Sequence, residues 1–267
     1  MPTNRKEEGT IQVGAASLHY EAAGAGPVVI LVHAFSLDLR MWDSQYSLLS
    51  QNYRAIRYDL RGFGKSSLPG DAPYTHADDL AGLLRSVSTA KASVVGHSMG
   101  GQVALEAAIR YPEMVERVVL IDPWLPDFSF SPKWSALWSQ ISECGNRGDI
   151  AGAKELWLHS SGLFPVGAAK AAVEVEQMVE DYSGWYFANM PHKYATSISD
   201  RLGQISAPVL IVVGERDIPD FLGIASLLGG AIPNAHKIVI PGVGHMVNME
   251  APTRTNAAIA AFLERGT

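Results

Sequence analysis

The feature that most constrains the fold of this chain is a serine with a glycine two positions away on each side. It lies where a short apolar run is followed by a helix-forming stretch. Residues 96–100 read Gly-His-Ser-Met-Gly; they follow the apolar run 92–95 and lead into the stretch 99–110. In a tight strand-to-helix turn, a Cβ at either flanking glycine would collide with the neighbouring strand or helix. The pattern predicts such a turn and makes Ser98 a candidate nucleophile. The alternative is a glycine-rich turn with an inert serine.

Strand-like and helix-like stretches alternate on both sides of the middle of the chain. The run 28–32 is apolar at every position and rich in β-branched residues, which suits a strand buried on both faces. Strands alternating with helices of this length predict a parallel sheet with right-handed crossovers. A hairpin at 11–13 and 18–23 is expected before them. The further predicted strands cover 53–58, 92–95, 115–121, 209–213 and 236–240, and the predicted helices cover 42–50, 75–87, 99–110, 221–228 and 251–263.

The alternation stops between residues 124 and 197. This segment has no run typical of a buried strand, and it contains five of the six tryptophans of the chain. Helices are predicted at 133–144, 150–160 and 168–188. We therefore predict one core domain, formed by residues 1–123 and 198–267, with residues 124–197 inserted as a helical cap.

Composition excludes several classes of protein. A chain of 267 residues can form one large α/β domain with an insertion. The net charge of −6 and the lack of a dense lysine and arginine stripe argue against nucleic-acid binding. The polar N-terminus and the shortness of the apolar runs argue against a signal peptide and against membrane insertion, so a cytoplasmic protein is expected. The single cysteine, Cys144, excludes an internal disulfide framework.

Three loops at the carboxyl ends of predicted strands carry residues that could act together. One holds Ser98, the second holds Asp217 after strand 209–213, and the third holds His245 after strand 236–240. Open parallel sheets bind ligands at this edge. A serine hydroxyl needs an imidazole to accept its proton, and a carboxylate behind the imidazole fixes its tautomer. Asp122, which ends the predicted strand 115–121, is the alternative acid.

Backbone groups complete the predicted site. An oxyanion needs two N–H groups aimed at one point, and we assign these to Met99, directly after Ser98, and to Phe35, in the loop after strand 28–32. His33 is expected to brace that loop. A phosphate loop is excluded at residues 62–66, because Asp59 stands where its first glycine is required. No dinucleotide or metal-binding pattern is present in the sequence, so neither a cofactor nor a metal is expected.

Several motifs together resemble the α/β-hydrolase superfamily over nearly the whole chain. They are Leu-Val-His-Ala-Phe at 31–35, Tyr-Asp-Leu-Arg-Gly-Phe-Gly-Lys-Ser at 58–66, Gly-His-Ser-Met-Gly-Gly at 96–101, Gly-Glu-Arg-Asp at 214–217 and Gly-His at 244–245. The resemblance implies an α/β fold with a mostly parallel central sheet, helices on both faces and a helical cap over the site. It also implies that Asp59 and Arg61 are structural. The subgroup resembled is the capped serine esterases and lactonases of the 3-oxoadipate enol-lactonase type.

Differences between this sequence and the motifs of related enzymes reduce the number of reactions that are expected of it. Ala34 stands where the family usually has glycine, which bears on the second oxyanion donor. Carbon–carbon bond hydrolases of this fold usually carry tryptophan after the catalytic histidine and often asparagine before the serine, whereas this chain has Met246 and His97. Ser98 argues against epoxide hydrolases and haloalkane dehalogenases, which use aspartate as the nucleophile.

The expected function is hydrolysis of a carboxylic ester or lactone through an acyl-enzyme. The aromatic residues of the cap suggest an apolar or aromatic small-molecule substrate. Three alternatives stay open. They are a carbon–carbon bond hydrolase acting on a ring-fission product, a ligand receptor on a hydrolase fold with little turnover, and promiscuous perhydrolysis of the acyl-enzyme by peroxide. A monomer or a homodimer is expected, without nucleic-acid or membrane partners.

Overall fold

One twisted sheet organises the protein in its computed structural model. The structure describes residues 6–87, 91–165, 169–189 and 198–264. These residues form an eight-stranded sheet in the order β1-β2-β4-β3-β5-β6-β7-β8. The pairs β1–β2 and β2–β4 are antiparallel, and the remaining pairs are parallel. The strands are β1 Glu7–Val13, β2 Ala16–Ala23, β3 Val28–Val32, β4 Arg54–Tyr58, β5 Ala92–His97, β6 Val115–Ile121, β7 Val209–Gly214 and β8 Ala235–Ile240.

Burial follows from the place of each strand in the sheet. Every residue of β3, β5 and β7 is buried, as expected for central parallel strands covered on both faces. In β1 each half-buried residue is followed by an exposed one, because this antiparallel edge strand covers the core with a single face. The predicted α/β class with a mostly parallel sheet is thus confirmed. The opening hairpin is also found, and its first strand begins earlier than predicted, at Glu7.

The helices of the predicted core pack against the sheet and against one another. Helix α2 contacts α3, and α1 contacts α10. The predicted helix 42–50 is divided into a 3-10 turn, Leu39–Trp42, and α1. The core helices are α1 Asp43–Leu49, α2 His76–Val87, α3 Met99–Arg110, α8 Pro219–Ala231, α9 Val247–Glu250 and α10 Pro252–Glu264.

The segment between β6 and β7 is helical where it is described. It contains α4 Pro132–Asn146, α5 Ile150–Ser160, α6 Lys170–Asp181 and α7 Trp185–Ala188, followed by a 3-10 turn, Ser199–Gln204. The prediction of one helix over 168–188 was wrong. The helix ends at Asp181, and Gly184 adopts a φ of +76°, which reverses the chain before α7. Residues 190–197 lie outside the described residues, and the domain boundaries at 123/124 and 197/198 stay predictions.

Among the described residues, no helix is both long and apolar enough to cross a lipid bilayer.

Candidate active site

The turn at Ser98 has the strained geometry that its glycines predict. A Cβ at Gly96 would lie 2.1 Å from the backbone oxygen of Gly100, and a Cβ at Gly100 would lie 2.1 Å from that of Val32. Ser98 itself adopts a φ of +51°, which residues with a Cβ rarely do. Strain of this kind costs about 1–3 kcal/mol and persists only where the surrounding structure enforces it.

Backbone hydrogen bonds hold the strained turn. The N–H of Ser98 donates to the oxygen of Ile121 at 2.9 Å, at the end of β6. The oxygen of Ser98 accepts from Gly101 at 2.9 Å, from Gln102 at 3.2 Å and from Trp124 at 3.0 Å. The turn is thereby attached both to its own helix and to the strand beside it, which fixes where the Ser98 side chain leaves the backbone.

Asp217 and His245 are joined directly. The distance from His245 Nδ1 to Asp217 Oδ2 is 2.8 Å, and both residues are buried. Because a carboxylate accepts, Nδ1 carries the hydrogen and Nε2 is left with a lone pair. The second oxygen, Asp217 Oδ1, accepts from the N–H of Ile218 at 2.7 Å. The pair therefore has the form of a base whose tautomer and orientation are held by an acid.

The loops that carry this pair approach each other closely because of a second glycine contact. A Cβ at Gly214 would lie 2.0 Å from the oxygen of Gly244. The N–H of Arg216 donates to the oxygen of Val243 at 2.9 Å. A glycine at position 214 is therefore what lets the end of β7 approach the loop after β8, with Asp217 facing His245.

His97 connects the Ser98 turn to His245. Its Nε2 donates to the backbone oxygen of His245 at 2.8 Å, and the two rings meet edge to face with centroids 5.0 Å apart. Burial lowers the pKa of His97 well below its usual value, so its ring is neutral. Among the described residues, no hydrogen bond joins Ser98 Oγ to His245 Nε2. The structure thus brings the two residues to one site without closing the bond between them.

Asp122, the alternative acid, lies beside Asp217 and does not bond to the histidine. It is fully buried, with a φ of +41°, and its Oδ1 accepts from the N–H of Gly214 at 3.0 Å. Burial, followed by the charge of Asp217, raises its pKa well above the usual value. Two adjacent buried carboxyls cannot both ionise. Burial and the charge of Asp217 therefore favour the protonated form of Asp122, whose Oδ2 has no hydrogen-bond partner among the described residues.

The same three groups form the cluster most able to hold a metal ion among the described residues. The donor atoms of Asp122, Asp217 and His245 lie within 4.8 Å of one another. A metal would need both carboxyls ionised and the Nδ1 of His245 without its hydrogen. The hydrogen bond between Asp217 and His245 and the raised pKa of Asp122 instead fit a site that handles protons.

The two N–H groups assigned to an oxyanion are free of protein partners. Among the described residues, neither Phe35 nor Met99 donates its backbone hydrogen to a protein acceptor. The N–H of Met99 lies in the first turn of α3, where no intrahelical acceptor exists. Both groups therefore keep the hydrogen-bonding capacity that an oxyanion would need.

The loop before Phe35 is braced as its histidine predicts. His33 Nδ1 donates to the oxygen of Ala34 at 2.8 Å, and its Nε2 accepts from the N–H of Leu60 at 2.9 Å. Burial lowers the pKa of His33, consistent with this neutral tautomer. The φ of Ala34 is not positive, so its Cβ is accommodated without strain of that kind. The positive φ of this loop is found at Ser36 instead.

Asp59 and Arg61 hold loops and helices together, which is the structural role that the family resemblance implied for them. Asp59 accepts from the N–H groups of Leu39 at 2.9 Å and Lys65 at 2.8 Å, which ties two loops together. Arg61 forms a buried ion pair with Asp79, with Nε 2.9 Å from Oδ2.

Aromatic side chains of the inserted helices surround Phe35, a feature that the sequence did not predict in detail. Its ring lies 5.4–6.2 Å, centroid to centroid, from five of them. A core ring, Phe63, lies 5.8 Å from Phe35 and stacks on two of the same rings. The five are Trp138, Trp157, Tyr182, Tyr186 and Phe187. The inserted segment is thus packed onto the loop that carries one of the two free N–H groups.

The sequence and the fold match known proteins over most of the chain. A family model described as alpha/beta hydrolase fold matches residues 27–252. A 2-(acetamidomethylene)succinate hydrolase of Mesorhizobium japonicum is 26% identical, over 95% of this chain and 94% of its own. An enol-lactonase of Burkholderia xenovorans has a TM-score of 0.82 at 25% identity, covering 96% of this chain and 100% of its own. A thermophilic esterase of Thermogutta terrifontis has a TM-score of 0.82 at 28% identity, covering 96% and 98%. With its sheet order, its strained serine turn and this family match, the chain belongs to the α/β-hydrolase fold family.

Proposed function

We propose that this protein is a serine hydrolase that cleaves a carboxylic ester or lactone through an acyl-enzyme on Ser98. The observation that carries the proposal is the 2.8 Å bond between His245 and Asp217, placed beside a strained serine turn by the contact of His97. The relatives support hydrolysis as the class of reaction, and the esterase and enol-lactonase among the similar structures favour an ester or a lactone.

The proposed reaction begins with His245 Nε2 accepting the proton of Ser98 Oγ while the oxygen attacks the carbonyl carbon of the substrate. Catalytic hydrogen bonds are often open in a site without substrate and close when it binds. The oxyanion lies between the N–H groups of Phe35 and Met99. His245 then returns the proton to the leaving alkoxide, which remains part of the same molecule when the substrate is a lactone.

Deacylation repeats these steps with water. His245 accepts a proton from water as the water oxygen attacks the acyl carbon. Collapse of the second tetrahedral intermediate releases the carboxylic acid and returns the proton to Ser98. Asp217 stabilises the imidazolium that forms in each half of the reaction. Each step uses groups of a single chain and water, so a monomer suffices.

The aromatic surroundings of Phe35 support an apolar or aromatic acyl group. The rings of the inserted helices pack against the side chain of Phe35, the residue whose N–H is assigned to the oxyanion. Such a surface binds flat or apolar groups and excludes water from the oxyanion. We therefore propose aryl and short-chain acyl esters and lactones as the first substrates to assay.

The experiment that tests the proposal compares Ser98→Ala with the wild-type protein on a p-nitrophenyl ester, a lactone and a vinylogous diketone. We expect ester or lactone turnover in the wild type and its loss in the variant, with the circular dichroism spectrum unchanged. Ser86→Ala, which changes an exposed serine on α2, is the matched control and should keep full activity.

A fluorophosphonate probe gives the second readout. Mass spectrometry should locate the adduct on Ser98. Turnover retained in Ser98→Ala, or an adduct on another serine, would contradict the proposal. Turnover of the diketone alone would favour a carbon–carbon bond hydrolase, and binding without turnover of any substrate would favour a receptor.

A further inference from the structure

We propose that Trp157, on α5 of the inserted segment, is a positioning residue for the oxyanion site. Its indole N–H holds Ser36 in the turn that presents the N–H of Phe35. The proposal rests on the proposed function of Ser98, and it adds a role for the inserted helices in the chemistry itself: they set the geometry of a backbone donor.

The contact is short and buried. Trp157 Nε1 donates to Ser36 Oγ at 2.7 Å; the two residues are 4% and 0% exposed. It is the one hydrogen bond that the described residues give the Ser36 hydroxyl. Without it, both groups would lack a partner in a place that water does not reach, and such a loss is unfavourable.

Ser36 needs this support because of its backbone conformation. Its φ is +63°, and the N–H of Leu37 donates to the oxygen of Ala34 at 3.3 Å, which closes a four-residue turn. A positive φ at the third position marks a type II turn, where glycine is usual. Serine prefers a type I turn, in which the central peptide is rotated. The rotating peptide joins Phe35 to Ser36, so the bond from Trp157 opposes a relaxation that would change the ψ of Phe35, the residue that carries the proposed donor.

Phe35 is held by the same indole. Its ring centroid lies 5.5 Å from that of Trp157, at nearly a right angle. One side chain of the inserted segment thus contacts two consecutive residues of the loop, one through its ring and one through its N–H. Phe35, whose N–H is the proposed donor, is thereby held at its own side chain and at the residue that follows it.

A comparison of positive φ values supports a role in function. The described residues that have a side chain and a positive φ are Ser36, Ser98 and Asp122. Ser98 is the proposed nucleophile, and Asp122 contacts Asp217. Strained backbone is concentrated at functional sites because the surrounding contacts enforce it there. Ser36 fits this group through its place next to Phe35.

The first test is Trp157→Phe, which keeps a ring at this position and removes the N–H. A small misplacement of a catalytic group reduces the rate by up to about 100-fold, and loss of one oxyanion donor by about 100–1,000-fold. For a donor that is loosened and still present, we expect kcat to fall about tenfold with KM nearly unchanged. Affinity for a boronic acid, whose adduct with Ser98 occupies the oxyanion position, should fall by the same factor.

A double-mutant cycle distinguishes the effect of the hydrogen bond between Trp157 and Ser36 from a general effect on packing. Ser36→Ala should reduce kcat about as much as Trp157→Phe, and the double variant should lose no more than either one. Ser36→Gly should retain more activity than Ser36→Ala, because glycine adopts the positive φ without assistance. In the Ser36→Gly background, Trp157→Phe should have little further effect.

Trp138 supplies the matched control cycle. Its ring also lies against Phe35, at 5.7 Å, and no hydrogen bond joins it to Ser36. Because Trp138 also packs against Trp157, at 5.2 Å, the control is quantitative: the coupling between Trp138→Phe and Ser36→Ala should be clearly smaller than that between Trp157→Phe and Ser36→Ala. Melting temperatures of all variants report folding separately from kcat.

The outcomes distinguish the two proposals. Additive losses for Trp157→Phe and Ser36→Ala, or a lowered melting temperature with unchanged kcat and boronic acid affinity, would overturn the role of Trp157 alone. A wild-type protein that neither turns over esters or lactones nor reacts with a fluorophosphonate at Ser98 would overturn the proposed function, and the role of Trp157 with it.

Discussion

His97 donates its Nε2 hydrogen to the backbone oxygen of His245 at 2.8 Å, so the residue before the proposed nucleophile holds the backbone of the proposed base. Neither partner changes charge in this bond, because the ring of His97 is neutral and a backbone oxygen does not titrate. The relative position of the Ser98 turn and the His245 loop therefore does not depend on an ion pair that salt would screen.

Replacing His97 tests this connection. Asparagine can donate from its amide, whereas alanine cannot, so His97→Ala should reduce kcat about tenfold through misplacement of the base, and His97→Asn should retain more activity. The measurement is kcat for a p-nitrophenyl ester across both variants. Equal losses in the two would show that the volume of the ring matters and the hydrogen bond does not.

The buried neutral state of His97 also makes a prediction about stability and pH. Because burial lowers its pKa in the folded state, the unfolded chain binds a proton below about pH 6.5 that the native protein does not. The contribution of neutral His97 to the free energy of unfolding is therefore complete above about pH 6.5 and decreases as the pH falls below it. Relative to His97→Asn, the wild type should lose up to about 1.4 kcal/mol per pH unit below 6.5. Urea unfolding at pH 7 and pH 5 measures the difference, and a gap between the two proteins that stays constant would refute the prediction.

Asp122→Asn should stabilise the protein as the pH rises. The folded-state pKa of Asp122 is raised, by burial first and then by the charge of Asp217, with a smaller effect from Glu250. Its stabilising contribution is complete below about pH 4 and is lost as the pH rises toward the folded-state pKa. Asparagine removes this loss, tolerates a positive φ and can donate to Asp217.

The gain should reach at most about 1.4 kcal/mol per pH unit, measured by urea unfolding between pH 5 and pH 8. Activity should remain within a few-fold of the wild type. Asp71→Asn, on an exposed loop, is the control and should show no such trend. If Asp122→Asn abolishes activity while Asp217→Asn does not, the acid has been assigned to the wrong residue.

Asp217→Asn should reduce kcat about 10⁴-fold with little effect on folding. The amide would favour the wrong tautomer of His245 and could not stabilise the imidazolium. Steady-state kinetics on the best ester substrate, beside Asp71→Asn as the charge-matched control, provides the measurement. A loss smaller than about tenfold would remove Asp217 from the proposed mechanism.

Asp79→Ala should destabilise the protein without disabling the site. The ion pair between Asp79 and Arg61 is buried, and removal of one partner leaves an uncompensated charge that typically costs about 3–5 kcal/mol. Glu8→Ala, which breaks an exposed pair with Lys65, should have little effect. Urea unfolding should separate the two variants clearly. Asp79→Ala should keep its kcat at temperatures where it is folded, and a selective loss of kcat would assign Arg61 to the chemistry.

The local sequence pattern was sufficient to predict those structural features that depend on residues close together in the chain. The strands β3, β5 and β7 are apolar runs, and their burial on both faces follows from that composition. The glycines around Ser98 indicated a turn without room for a Cβ, and the 2.1 Å contacts show the reason. The break between α6 and α7 was missed because it depends on the extended backbone of Tyr182 and the positive φ of Gly184, which an otherwise helical pattern conceals.

The sequence by itself determined the alternation of strands and helices, the turn at Ser98 and the order of the three candidate residues, since hydrophobic period and glycine position act locally along the chain. Only the tertiary structure decided that Asp217 and not Asp122 bonds to His245, and that Trp157 reaches Ser36 across 121 positions. Both outcomes depend on side chains brought together by the packing of distant elements, and for the two carboxyls also on the burial that raises the pKa of Asp122.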